Sequence, residues 1–174
     1  MAKFDFITHK ANMLVKRYGT RDPFALCSKL HIAVRRKELC PQLKAFFFYQ
    51  SRIKTIVLNA QTDAHLQRVL CAHELGHAVL HYERLKDMLF FQEQELFNQT
   101  DLTEFEANIF TAELLVPDER LLKLLSDAEV SFFEAAALLY VPAELLDFKF
   151  RILRSKGYEL EVPYLAQSCF LKEM

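Results

Sequence analysis

Three histidines and a glutamate fall within nine residues, His73-Glu74-Leu75-Gly76-His77-Ala78-Val79-Leu80-His81. On a helix, His73 and His77 lie one turn apart on the same face, close enough to grip one small cation. Glu74 sits about 100° around from His73, where it can reach a metal-bound water without joining the ligand set. Chance alone puts a His-Glu-x-x-His in roughly two chains of this composition per hundred. The spacing is that of a zinc hydrolase.

These side chains need a helix to hold them. Leu70, Leu75, Val79 and Leu80 supply apolar helical filling, and Asp63 is placed to cap its start. A tetrahedral ion with two histidines lacks a third protein ligand. His81 is the obvious candidate, but on an unbroken helix it stands about 12 Å beyond His73 and some 80° around. It reads instead as a C-terminal cation or as a hydrogen-bond partner of the ligand system. The better donor lies downstream, in the segment that starts at Thr103 and runs to Pro117.

That segment reads Glu104, Phe105, Glu106, Ala107, Asn108, Ile109, Phe110, Thr111, Ala112, Glu113, Leu114, Leu115, Val116, Pro117. A HELGH helix followed by it resembles the ImmA/IrrE family of bacterial and phage metallopeptidases. Members typically carry Glu-x-x-Ala-Asn-x-Phe-Ala-x-x-Leu-Leu-x-Pro after the helix motif. Thr111 departs from the usual Ala, a change between small residues. The paired motifs are specific, and a looser likeness covers roughly residues 10 to 155. The resemblance implies that Glu104 is the third metal ligand.

The helical reading supports Glu104 and leaves Glu106 open. Asp101 and Glu104 have the spacing of a capping box, which puts Glu104 in the first turn of a new helix. Glu106 points about 200° away from Glu104, so only one of the two can face the metal. Asn108 is one turn beyond Glu104 and is placed to hydrogen-bond the ligands. Zinc held by His73, His77 and Glu104, one ion per chain, would keep a fourth position for water and lower its pKa toward roughly 7. Glu74 would take that water's proton and pass it to the leaving amine. His81, Tyr82 and Tyr140 are candidates for the group that stabilises the oxyanion. No Gly-x-Ser-x-Gly elbow or phosphate loop is present, and the chain has three glycines.

Composition narrows the classes. With 174 residues, 52% of them apolar, the expectation is one compact zincin-like unit over 1–174. Within it, 1–60 hold helices and a small sheet, 61–117 the metal-site helices, and 118–174 further helices and a tail. A net charge of -1 carries no strong nucleic-acid signal, and Arg35, Arg36 and Lys37 read as a solvated strand end. No apolar run reaches membrane length and no signal peptide is evident, so the chain reads as a cytoplasmic monomer with reduced thiols. Cys71 faces away from His73 and reads as a core thiol. Cys40, on a loop-like stretch before Pro41, could cap the open zinc position as a switch.

The rest of the pattern is α+β, mostly helical, with a small N-terminal three-stranded sheet packed on the HExxH helix. Helices are expected from about Thr8 to Tyr18 and from Pro23 to Leu30, and strands at Ile32–Arg36, Lys44–Tyr49 and Ile53–Asn59. A hairpin at Gln50-Ser51-Arg52 joins the last two, and either strand could offer an edge to a substrate backbone. Tyr82 to Thr100, with Phe90, Phe91, Leu96 and Phe97, reads as a partly ordered loop over the cleft. Helices follow at Asp118–Leu125, Ser131–Leu139 with a Ser131/Glu134 capping box, and Pro142–Arg154. That last pair has a helix-turn-helix outline, but its second helix is acidic at its start and apolar in the middle, so it reads as packing, with Lys149, Arg151 and Arg154 on its wet face. Beyond Gly157, Val162, Pro163, Tyr164 and Leu165 form an extended tail or a partner contact.

Two classes of function compete. One is a zinc endopeptidase whose substrate, as the resemblance implies, is a helix-turn-helix repressor, cut to release a mobile element or a stress response. The other is a non-catalytic or weakly catalytic regulator that binds such a repressor, or an antitoxin, through the same fold. Glu74 favours the first, because a structural zinc site needs no positioned base.

Overall fold

A computed structural model describes residues 4–83, 101–126, 130–161 and 171. Among them are seven helices and three strands: α1 (Asp5–Tyr18), α2 (Pro23–Lys29), β1 (Ile32–Lys37), β2 (Ala45–Gln50), β3 (Ile53–Asn59), α3 (Ala64–Leu80), α4 (Asp101–Leu115), α5 (Asp118–Leu125), α6 (Phe132–Leu138) and α7 (Ala143–Ser155). The architecture is α+β, as the sequence pattern predicts. The start of α1, three residues earlier than Thr8, is the largest boundary difference. The expected cleft loop after Glu83, the capping side chain of Asp101 and the tail segment 162–165 lie outside what is described.

The sheet has the order β1-β3-β2, with β1 parallel and β2 antiparallel to β3. The β2–β3 hairpin turns through Ser51 and Arg52 alone, with φ of 50° and 65°. A two-residue turn with positive φ at both positions matches the right-handed twist of the flanking strands. Alternation then sends Phe47, Ile56 and Leu58 to one face, where all three are buried in the core. That face packs on α3.

α3 begins where Asp63 accepts hydrogen bonds from the backbone N–H groups of His65 and Leu66 at 2.8 and 3.0 Å. Those bonds, led by that from Leu66, hold the Asp63 carboxyl below its usual pKa. The helix is buried on almost every side, from Gln67 through Ala78 except Arg68. A helix enclosed in this way is the central element of the fold. The sheet covers one side, α2 another, and α4 crosses it on a third.

Gly76 makes that crossing close. A methyl group on its Cα would lie 3.2 Å from Phe110 Cδ1 and 3.3 Å from the Cα of Ala107, both on α4. The absent side chain lets the two helix backbones approach, and Gly here costs helix propensity in exchange.

Behind α4 stands a buried ionic cluster. Glu113 accepts hydrogen bonds from Asn12 of α1 at 2.7 Å and from the Lys149 ammonium of α7 at 2.6 Å. Lys149 also pairs with Asp118, which in turn pairs with Lys156 at 2.6 Å. Arg21 donates to the backbone carbonyls of Glu113 and Leu114. The expectation of Lys149 on a wet face is therefore corrected: its side chain is 0% exposed, between the buried Phe148 and Phe150. The buried Glu113 carboxylate requires a counter-charge, and that requirement overrides the solvent preference of a lysine. Arg154 is exposed and Arg151 half-buried, paired with Asp147 one turn earlier at 2.6 Å.

Candidate metal centre

The crossing of α3 and α4 assembles three donors. His73 Nε2 and His77 Nε2 are 3.1 Å apart, as expected for neighbours one turn apart whose rings converge on a common point. From α4, one oxygen of Glu104 lies 3.2 Å from His73 Nε2 and the other 3.6 Å from His77 Nε2. Among the described residues this is the one group of His, Cys, Asp and Glu side chains able to hold a metal ion, and all three members are buried. A tetrahedral ion about 2.0–2.1 Å from each donor requires them to stand about 3.3 Å apart. The observed separations bracket that value. Two imidazoles and a carboxylate also form the donor chemistry of a catalytic rather than a structural zinc site, because three protein ligands leave a position free.

The remaining residues singled out from the sequence fall at different distances from this point. Glu74 is 6% exposed, on the turn of α3 between the two histidines. Asn108, one turn after Glu104, is fully buried. His81 caps the C-terminus of α3, its backbone N–H bonded to the His77 carbonyl at 2.9 Å. Its ring lies against His77 and, on the other side, Glu106. Glu106 is thus turned away from the three donors, as its 200° offset from Glu104 on one helix requires. Tyr82 packs edge-on against Tyr49 at 5.2 Å between ring centres, with the Lys54 ammonium 3.6 Å above its own ring. Tyr140 stacks on His65 at 4.9 Å, and His65 precedes His73 by eight residues, about 12 Å along α3.

The cysteines divide as well. Cys71 is buried, its sulfur 3.9 Å from that of Cys27, and this contact together with burial pushes its thiol pKa up. It is a core thiol. Cys40 is exposed on the segment joining β1 and β2 and is not a member of the metal-capable group.

Pattern reading missed Gly76 as the contact that sets the α3–α4 spacing. Its one signal was a helix-breaking residue in the middle of an otherwise well-filled helix.

Residues 27–151 match the peptidase M78 family, described as the IrrE N-terminal-like domain. The chain belongs to this ImmA/IrrE family of metallopeptidases. It is 34% identical over 146 residues to immunity region protein 2 of Bacillus phage phi105, covering 84% of this chain and 90% of that one. It is also 26% identical over 144 residues to metallopeptidase ImmA of Bacillus subtilis strain 168, covering 82% and 83%. Among the described residues no helix is long and apolar enough to cross a membrane.

Proposed function

We propose that the chain is a zinc-dependent endopeptidase that cuts a helix-turn-helix repressor. The observation that carries the reading is the set of three buried donors at tetrahedral spacing, with a glutamate on the same helix between the two histidines. His73, His77 and Glu104 would hold the ion, and when bound it supplies Lewis acidity to a peptide carbonyl and to water. Glu74 acts as the general base and then hands its proton to the leaving amine. Burial of all four side chains keeps bulk water from screening their charges.

The sheet supplies the means of holding an extended peptide. β2 is an edge strand, pairs only with β3 among the described residues, and packs on α3. A substrate strand adding to β2 gains backbone hydrogen bonds while its scissile bond lies over the histidines. Similarity to a protein of a phage immunity region supports a regulatory substrate over a digestive one.

Glu74→Gln is the discriminating variant. Zinc uptake should persist while cleavage of a repressor encoded beside this chain falls by 10²-fold or more, the usual scale for loss of a general base. Cleavage undiminished in Glu74→Gln would remove Glu74 from the chemistry. Repressor binding with no zinc-dependent cut, by wild type and variant alike, would instead establish the non-catalytic regulator.

A further inference from the structure

Beyond the three donors the structure shows a continuous line of hydrogen bonds leading outward from one of them. His77 Nδ1 lies 3.1 Å from His81 Nδ1, and His81 Nε2 lies 2.9 Å from a carboxylate oxygen of Glu106. His77 and His81 are almost fully buried, whereas the Glu106 side chain is 31% exposed. The line starts at the buried centre and ends at the protein surface.

We infer that Glu106 and His81 form a positioning relay that fixes the tautomer of His77 and strengthens it as a metal ligand. The inference rests on the metal-site reading above. Each ring nitrogen in the line then has one possible role. A neutral His77 that offers its Nε2 lone pair to an ion carries its proton on Nδ1. That N–H donates to His81 Nδ1, which must therefore be the unprotonated nitrogen of its ring. The His81 proton sits on Nε2 and is donated to Glu106. Carboxylate, imidazole and imidazole are thus polarised in one direction, and electron density is pushed toward the donor atom of His77. Had His81 carried its proton on Nδ1, two N–H groups would face each other and the 3.1 Å contact would be repulsive.

The arrangement also explains two placements that chemistry at the ion does not require. His81 ends α3 one turn after His77, so the same four-residue spacing that pairs His73 with His77 pairs His77 with His81. Glu104 and Glu106 leave α4 in different directions, yet each meets a histidine of α3. One carboxylate serves the donors directly, and the other serves them through two rings.

The test uses the whole chain and compares wild type with Glu106→Ala, Glu106→Gln, His81→Phe and His81→Gln. Zinc and cobalt(II) affinity is measured by competition with a chromophoric chelator, and ¹⁵N-histidine NMR of the zinc-loaded protein reads the tautomers. Glu106→Ala and His81→Phe should weaken metal binding 10- to 100-fold, the usual scale for loss of a partner of a ligating histidine. Glu106→Gln and His81→Gln, which each retain an acceptor oxygen, should recover part of that loss. The spectra should place protons on His77 Nδ1 and His81 Nε2. Unchanged affinity in Glu106→Ala and His81→Phe, or a His81 proton on Nδ1, overturns the relay while leaving the metal site intact. Failure of the wild-type chain to take up zinc or cobalt at all overturns the site reading, and the relay with it. Glu106 is part-exposed, so its variants should fold, as circular dichroism will check; should the His81 variants unfold, the Glu106 pair decides the question alone.

Discussion

Substituting Gly76 by Ala sets two physical effects of opposite sign against each other. Helix propensity alone favours the change, because Gly in a helix interior costs about 0.5–1 kcal/mol relative to Ala. The crossing opposes it. The new methyl group would meet Phe110 Cδ1 at 3.2 Å and the Ala107 backbone at 3.3 and 3.4 Å, against an ordinary contact of about 3.5–4.0 Å. Phe110 is fully buried and the Ala107 atoms belong to a helix backbone, so relief requires α4 to move by a few tenths of an ångström. Overpacking of this kind costs about 1–3 kcal/mol. The net expectation is a destabilisation of about 1–2 kcal/mol, or roughly 2–8 °C in Tm for a chain of this size. The same shift carries Glu104, one turn before Ala107, away from His73 and His77, when metal sites tolerate about 0.2 Å in ligand distance. Thermal unfolding monitored by circular dichroism, with chelator competition for zinc, reads both effects. A Gly76→Ala chain that is more stable than wild type and binds zinc equally well would refute the close-contact reasoning.

Three further outcomes are expected from the same packing. Lys149→Met should destabilise the fold by about 3–5 kcal/mol, because it leaves the Glu113 carboxylate buried against weaker partners; adding Glu113→Gln should restore part of the loss in urea unfolding. Asp118 should contribute to acid sensitivity: burial alone would raise its pKa, but hydrogen bonds from Lys149 and Lys156 outweigh it and hold the carboxyl below its usual value. Its stabilisation is therefore present above the unfolded pKa near 3.8 and lost as pH falls through the lower folded value, so Asp118→Asn should flatten the stability profile below pH 4. Removing metal with a chelator should lower Tm; saturation at a hundred times Kd is worth about 2.7 kcal/mol, which is roughly 5–11 °C here, and a Tm indifferent to zinc would contradict a site that spans α3 and α4.

Much of this arrangement could be read from residue order because it is local. The four-residue spacing of His73 and His77, the cap at Asp63 and the Ser131/Glu134 box each depend on one turn of one helix, and all three are present. The strands were legible because Phe, Ile and Val are concentrated there, although β1 runs one residue further than expected and β2 is shifted by one residue. What could not be read depends on which helix meets which. Lys149 looked like a wet residue because nothing within α7 marks Glu113, 36 positions earlier, as its partner. The opposed directions of Glu104 and Glu106 on α4 were legible, but the pairing of Glu106 with His81 comes from the way α4 meets α3. That meeting is close at Gly76.

The ionic cluster behind α4 bears on how far the chain can be cut down. Glu104 and Glu113 belong to the same helix, and the nearer of the two lysines paired with Glu113, Lys149, comes from α7, after α5 and α6 have intervened. A fragment ending near residue 126 would keep all three donors and the glutamate between the histidines. It would also expose the α4 face that α7 now covers and leave a buried carboxylate without its lysine. The C-terminal pair, for all its helix-turn-helix outline, is thus not a detachable module, and a minimal catalytic fragment must extend through Lys149.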